Sequence, residues 1–274
     1  MKVIGSIFIT LLCLLVQPQS AIDWTRERAD VSKGKVESFE VQDNQYNRRR
    51  KVWVYTPPGY NAKATAPYRL LLSFDGEDYI KDIPAPVILD NLLAAGKIHP
   101  TVQVMIDNSE DRLGDLANHQ KFADFLARDL LPWVQKNFQV TREAGQTTVC
   151  GYSAGGLAAA YVAFRYPNLF GNVLSQSGAF WRGNEGGTEQ LEWLTAQYKN
   201  APKLNVRLYL EVGANETRKT AGGPVFIETN RRLRDALRAK GYEMKYLEVP
   251  NAVHNAEHWR AQLADGIIYL MGKS

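Results

Sequence analysis

Residues 147–157 read TTVCGYSAGGL and contain the pattern Gly-x-Ser-x-Gly. A β-rich run precedes the pattern and an alanine-rich run follows it, which is the strand–turn–helix setting that gives this pattern meaning. Gly151 and Gly155 leave room for the sharp turn, because a β-carbon at either position would crowd the neighbouring chain. The turn lifts the Ser153 hydroxyl clear of the sheet and places the Ala154 N–H at the start of a helix, where it can face developing negative charge. We therefore predict a nucleophilic serine here, in preference to a glycine-rich turn that contains a serine without a role.

The composition is that of a globular protein long enough to build one large core. Of the 274 residues, 45% are hydrophobic and 23% are charged, and the formal net charge is +4. This charge is small for the length, and no basic stripe interleaved with aromatic residues accompanies it. We therefore expect no nucleic-acid partner.

The first 21 residues differ in character from the rest of the chain. Lys2 is followed by an apolar centre at Ile7–Val16 and by a polar, small-residue end at Gln17–Ala21. This order is typical of a secretory signal peptide, and a retained N-terminal anchor is the alternative interpretation. We predict a signal peptide at residues 1–21, a periplasmic or secreted protein, and one domain over residues 22–274.

Strands alternate with helices from Arg69 to the C-terminus, which predicts a mostly parallel sheet with helices on both faces. Before this region, Val36–Val41 alternates in polarity and predicts a half-buried strand, with Val52–Tyr55 as its antiparallel hairpin partner. The basic run Arg48–Lys51 would then lie at or near a solvated turn. The fold class is therefore α/β, with an N-terminal hairpin.

A serine hydroxyl needs a base to take its proton and an acid to orient that base. In this type of fold the acid and then the histidine follow the serine along the chain, each after a later strand. His254 follows a predicted strand at loop distance and is our candidate base, whereas His258 is expected to be a surface or supporting residue. Glu211 and Glu216 both suit the acid position. We choose Glu216, because it lies in the loop past the strand, whereas Glu211 lies within the strand.

Two N–H groups are needed to hold the oxyanion. Ala154 supplies one, and the loop after the first core strand should supply the other, at Gly76 or Glu77. A glycine at this position would let the backbone approach the substrate, although a plain strand-to-helix turn also explains it.

Two features of the sequence suggest chemistries that compete with a serine nucleophile. Cys150 is the one cysteine outside the predicted signal peptide, and as the last strand residue before Gly151 it is expected to be a buried filler. His254 and His258 also fit the zinc-protease pattern H-x-x-E-H. The only carboxylate after them is Asp265, and the zinc interpretation leaves Ser153 without a role. We therefore expect no metal and no cofactor.

A resemblance to a known family rests on stretches between Arg69 and the C-terminus: 75–77 (DGE), 106–107 (ID), 129–132 (DLLP), 151–156 (GYSAGG), 174–181 (LSQSGAFW), 211–216 (EVGANE), and His254 with Trp259. Together they resemble the enterochelin esterase branch of the α/β-hydrolases, within a wider group that includes feruloyl and acetyl-xylan esterases. The resemblance implies an α/β-hydrolase fold with Glu216 as acid and His254 as base. It also implies that Arg112 is aimed at the substrate and that Trp181 lines the cleft.

The sequence departs from that branch in two ways. The extra N-terminal domain of its cytoplasmic members has no counterpart here, and the usual Gly-Gly-His before the base reads Ala252-Val253-His254. The first departure, together with the predicted signal peptide, is more like the periplasmic siderophore esterases. The resulting prediction is an exported serine esterase that acts on the trilactone of an enterobactin-type siderophore, a small-molecule ester. An exported carbohydrate esterase and a non-catalytic binding protein on the same fold are the alternatives.

Overall fold

A computed structural model describes residues 22–108 and 110–273, and its strands form one eight-stranded sheet in the order β1-β2-β4-β3-β5-β6-β7-β8. Every neighbouring pair from β4 through β8 is parallel, and β2 pairs antiparallel with both β1 and β4. The predicted parallel sheet with an antiparallel N-terminal hairpin is therefore confirmed. The strands are β1 Lys35–Asp43, β2 Arg48–Thr56, β3 Arg69–Phe74, β4 Thr101–Ile106, β5 Thr147–Tyr152, β6 Asn172–Gln176, β7 Arg207–Gly213 and β8 Met244–Val249.

Helices cover both faces of the sheet, as predicted, and each face has its own buried apolar cluster. One cluster packs under α6 and α8, and the other packs under α2 and α9. The helices are α1 Asp78–Lys81, α2 Ala85–Ala94, α3 Arg112–Leu116, α4 Gln120–Phe125, α5 Leu131–Asn137, α6 Ala154–Arg165, α7 Trp193–Asn200, α8 Phe226–Ala239 and α9 Ala256–Met271, with a π-helical turn at Leu126–Leu130 and 3-10 turns at Ala144–Gln146 and Asn184–Gly186.

The basic run starts β2 directly after the turn at residues 44–47, and Arg49 and Lys51 are exposed there, as expected of charges near a solvated turn. The expectation is wrong for Arg50. Arg50 is 3% exposed. Its guanidinium contacts Asp43 Oδ2 at 2.9 Å and Asp115 Oδ2 at 2.7 Å, and both carboxylates are buried. Since Asp115 belongs to α3, this ion pair fastens α3 to the hairpin. Arg48, one-third exposed, lies 3.6 Å from Asp43 Oδ2 and 3.0 Å from Asp115 Oδ1, so two positive charges match the two buried carboxylates.

Residues 1–21, where we predict a signal peptide, lie outside the described residues. Among the helices that the structure describes, none combines the length and the apolar character needed to cross a membrane.

Candidate active site

Ser153 forms the turn between β5 and α6, with φ +52° and ψ −118°. A residue other than glycine is strained in this region, which costs about 1–3 kcal/mol. The strand and helix approach so closely that a β-carbon on Gly151 would lie 2.4 Å from the Gly155 carbonyl carbon. The neighbouring strand holds the turn, because the Ser153 N–H donates to the Gln176 carbonyl at 2.8 Å.

The structure brings Ser153, His254 and Glu216 together at the carboxyl edge of the sheet. Ser153 Oγ lies 3.0 Å from His254 Nε2, and His254 Nδ1 lies 2.5 Å from Glu216 Oε2. A carboxylate only accepts hydrogen bonds, so Nδ1 carries the proton and Nε2 is left to accept from the serine. The arrangement is that of a nucleophile, a base and an orienting acid.

Two aromatic rings fix the plane of the His254 imidazole. Phe226 and Trp259 both meet it edge-to-face, each with a centroid separation of 5.0 Å. Trp259 in turn stacks on Tyr152 at 4.1 Å. The sequence analysis used Trp259 only as a residue shared with the family and gave it no function. Nothing in the sequence indicated that Phe226, the first residue of α8, would contact the base.

Glu216 is held by two donors besides His254. Its Oε1 accepts from the Ser177 hydroxyl at 2.5 Å and from the Gly213 N–H at 2.8 Å, and Ser177 Oγ accepts from Trp259 Nε1 at 3.0 Å. Burial alone would raise the pKa of Glu216, but the hydrogen bonds from His254 and Ser177 outweigh it and hold the pKa below its ordinary value. The carboxylate is therefore kept ionised beside the imidazole.

Glu211, the other candidate acid, lies within β7 and is fully buried. Burial raises its pKa, and it contacts His258 and Gln176 rather than His254. His258 is 6% exposed, so it is a buried residue and not a surface residue.

Of the two predicted loop donors for the oxyanion, Gly76 is unavailable. Its N–H already donates to the Ile106 carbonyl at 2.8 Å, and a β-carbon at Gly76 would lie 2.7 Å from the Ile106 nitrogen. The glycine therefore permits close approach to β4, not to a substrate. Within residues 22–108 and 110–273, the N–H groups of Glu77 and Ala154 donate to no protein acceptor.

Arg112 and Trp181, the two residues predicted to bind the substrate, each contact neighbouring protein side chains. Arg112 begins α3 and forms a two-pronged ion pair with the buried Asp75, at 2.5 and 2.7 Å, while its side chain stays one-third exposed. Trp181 is half-buried against the core, with the Arg182 guanidinium 4.6 Å from its ring centroid. Substrate binding by either residue stays a prediction.

The two competing chemistries find no geometric support. The closest carboxylate of His254 is Glu216 and that of His258 is Glu211, and the described residues contain no cluster of three or more His, Cys, Asp or Glu side chains suited to a metal ion. Cys150 is buried beneath the turn with its sulfur 3.3 Å from the Tyr79 hydroxyl, and burial raises its pKa to about 12. A thiol with that pKa supplies almost no thiolate at neutral pH.

Comparison with known proteins gives consistent matches. The iron(III) enterobactin esterase of Escherichia coli K12 is 31% identical over 235 residues, which are 84% of this chain and 55% of that protein. The endo-1,4-β-xylanase/feruloyl esterase of Xylanibacter ruminicola is 24% identical over 255 residues, which are 89% of this chain and 32% of that protein. This chain therefore spans about half the length of the enterobactin esterases it matches.

The crystal structure of the enterobactin esterase from Shigella flexneri in the presence of enterobactin superposes with a TM-score of 0.78 at 27% identity, covering 92% of this chain and 63% of that one. This likeness confirms the predicted α/β-hydrolase fold. A family model described as "Putative esterase" matches residues 44–270. The chain therefore belongs to the putative esterase family.

Proposed function

We propose that this protein hydrolyses carboxylic esters through an acyl-serine intermediate. The observation that carries the proposal is the continuous hydrogen-bonded chain from Ser153 Oγ through His254 to Glu216. Ser153 attacks the ester carbonyl while His254 Nε2 takes its proton, and His254 then returns that proton to the leaving alcohol. Water repeats the sequence to release the acid and restore the serine. Glu216 holds the imidazole in the required tautomer and stabilises the imidazolium.

The Ala154 N–H and the Glu77 N–H are the donors we propose for the oxyanion. Ala154 is the first residue of α6 and Glu77 precedes α1, so neither N–H is used within its helix. Both N–H groups are therefore available to a substrate oxygen that gains negative charge during attack. No cofactor enters these steps.

For the substrate we propose a catecholate trilactone siderophore of the enterobactin type. The similarity to iron(III) enterobactin esterases over 84% of this chain supports this choice. The partly exposed Arg112 guanidinium offers a positive charge for an anionic ligand. The similarity to the xylanase/feruloyl esterase supports a second candidate, a feruloyl or acetyl ester of a carbohydrate.

Labelling and substrate tests separate these possibilities. A fluorophosphonate probe should label the wild-type protein and not Ser153→Ala, whereas a non-catalytic binding protein would stay unlabelled. Purified protein should then convert enterobactin to its linear and monomeric products, read by mass spectrometry. If enterobactin stays intact while feruloyl or acetyl-sugar esters are cleaved, the carbohydrate ester and not the siderophore is the substrate.

We also propose that the protein is exported, on the sequence of residues 1–21 alone. N-terminal sequencing of the native protein should begin near residue 22, and a sequence that begins at Met1 would contradict cleavage.

A further inference from the structure

A second imidazole–carboxylate pair lies directly behind the proposed triad. His258 is the third residue of α9, and its Nε2 lies 2.6 Å from Oε2 of the fully buried Glu211. The contact is a close ion pair whose angles do not suit a hydrogen bond, and neither atom has another polar partner in the part of the chain that the structure describes. A bare nitrogen and a bare carboxylate oxygen would repel at this distance, so one proton is shared between them.

The other side of the same ring contacts the loop that carries His254. His258 Nδ1 lies 3.2 Å from the carbonyl oxygen of Val253, the residue before His254. Since a carbonyl only accepts, Nδ1 carries a proton. The backbone N–H of His258 donates at 3.0 Å to Oδ1 of Asn255, the residue after His254. His258 therefore holds both residues that flank the proposed base.

Few apolar contacts hold this loop. Val253 is 45% exposed, and Asn251 has a φ of +60°. A segment without buried apolar surface is easily displaced unless polar contacts fix it. One such contact is the hydrogen bond from the Asn215 N–H to the Ala252 carbonyl at 3.0 Å. The contact of His258 with Val253 adds a second restraint next to the proposed base, and the opposite side of the ring anchors it to β7 in the sheet.

The charge of the pair is compatible with its buried position. Burial lowers the pKa of His258, but the proximity and charge of Glu211 outweigh it and leave the pKa raised. Burial raises the pKa of Glu211 as well, and its contact with His258 only partly offsets the rise. With one proton between them, the pair is neutral overall and does not oppose the nearby Glu216, whose Oε1 lies 3.9 Å from Nδ1.

We propose that His258, anchored by Glu211, is a positioning residue that holds His254 in line with Ser153 through the Val253 carbonyl. This proposal rests on the proposed esterase function, because its kinetic effect is read through that reaction. It assigns His258 no contact with the substrate. Its effect should appear in the reactivity of Ser153, not in substrate binding.

Two substitutions separate the two sides of the ring. The amide of Asn reaches the place of Nδ1, and the longer Gln reaches the place of Nε2. In a Glu211→Gln background, which leaves no buried charge unpaired, His258→Asn keeps a donor for Val253 and His258→Gln loses it. A displacement of the base by about 1 Å costs on the order of 100-fold in rate. We therefore expect His258→Gln to lower kcat and the rate of fluorophosphonate labelling about 100-fold with KM unchanged, and His258→Asn to stay within about tenfold of the background.

Thermal unfolding of the two double variants is the stability control. Both double variants should melt within a few degrees of each other, so that a difference in rate reports positioning and not stability. Equal rates for the two, or a loss of rate that follows the loss of stability, would overturn the proposal.

Imidazole ¹⁵N spectra test the same geometry without any substrate. They should show His258 Nδ1 protonated, and the low-field proton between His254 and Glu216 should persist in His258→Asn and vanish in His258→Gln. An unprotonated Nδ1 would overturn the proposal even if the protein proved not to be an esterase. Failure of wild-type labelling with these spectra as expected would instead count against the proposed function alone.

Discussion

Replacing Glu216 with glutamine tests the proposed triad, because the change preserves shape while creating a conflict among hydrogen-bond donors. Glu216 Oε1 accepts from the Gly213 N–H at 2.8 Å and from the Ser177 hydroxyl at 2.5 Å, and Oε2 lies 2.5 Å from His254 Nδ1. Both oxygens of the carboxylate are therefore acceptors. A glutamine amide offers only one acceptor and must place its NH2 group on one side or the other.

Either orientation of the amide breaks one of the hydrogen bonds that Glu216 makes in the wild-type protein. If its oxygen stays toward Gly213, the NH2 faces His254 Nδ1, which must then give up its proton to Nε2. Nε2 can no longer take the proton of Ser153, so attack stops. If the amide turns over, its NH2 meets the Gly213 N–H at 2.8 Å, and an unsatisfied buried donor costs about 1–3 kcal/mol. In both cases the imidazolium loses its counter-charge.

The expected loss follows from this conflict. The equivalent change in a serine protease triad lowers kcat about 10⁴-fold, which is about 5.5 kcal/mol at 1.36 kcal/mol per factor of ten. We therefore expect Glu216→Gln to lower kcat for a fluorogenic ester by about 10³–10⁴-fold, with the melting temperature lowered by only a few degrees. Glu257→Gln is the matched control, because Glu257 is exposed in the first turn of α9. A kcat for Glu216→Gln within tenfold of the control would refute Glu216 as the orienting acid.

Three further predictions concern stability, packing and ionisation. Arg50→Leu should destabilise the fold by about 3 kcal/mol, because it removes the buried charge partner of Asp43 and Asp115 and leaves them the one-third-exposed Arg48. Chemical unfolding would measure this, and the exposed Arg49→Ala should change stability by less than about 0.5 kcal/mol. Gly151→Ala should destabilise the fold by about 1–3 kcal/mol and slow hydrolysis about 100-fold, because its β-carbon would lie 2.4 Å from the Gly155 carbonyl carbon. Gly145→Ala is the control, because a β-carbon there would have no atom within 4 Å. Equal effects of the two substitutions on stability and rate would contradict the packing argument. The Glu216 carboxyl should titrate by ¹³C NMR below the ordinary glutamate pKa of about 4.3. The ionised carboxylate then stabilises the fold fully at pH values above the ordinary pKa, and this stabilisation is lost as the pH falls through the lower pKa of the folded protein. A titration midpoint above about 4.3 would contradict the hydrogen bonds to Glu216.

The part of the site that follows from local pattern could be predicted from the sequence. Gly-x-Ser-x-Gly between a strand and a helix located the turn at Ser153, because steric demands on a few adjacent residues determine that geometry. The order of strands along a parallel sheet then placed the loops of Glu216 and His254 at the same edge. All three side chains meet there, at 3.0 and 2.5 Å.

The features that sequence reasoning missed depend on contacts between distant residues. Arg50 is separated from Asp115 by 65 residues, so a basic run that resembles a turn gave no sign of a buried ion pair. Gly76 was explained by substrate approach, whereas it is β4 that leaves no room for a side chain. For His258 the surface alternative was wrong, because nothing nearby in the sequence shows that α9 brings it against Glu211 of β7.

A shared backbone feature explains why so many of the site's side chains rise from the sheet edge. Asp75, Ser153 and Ser177 each come directly after the last residue of a strand, and their φ angles are +57°, +52° and +48°. The strands concerned, β3, β5 and β6, are adjacent in the sheet. A left-handed residue at a strand end redirects the chain, at a cost of about 1–3 kcal/mol for each residue that is not glycine.

Each of these three strained residues has a side chain that is held by a partner in the site. Asp75 binds Arg112, Ser153 meets His254, and Ser177 bridges to Glu216. Glycine would remove the strain at all three positions but would also remove these contacts. The chain thus keeps Asp and Ser at positions where the backbone conformation favours glycine. The packed apolar clusters on both faces of the sheet supply the stability that offsets the strain. The polar contacts at the sheet edge and the apolar core beneath it are therefore parts of one arrangement, in which the core permits a strained and specifically oriented site.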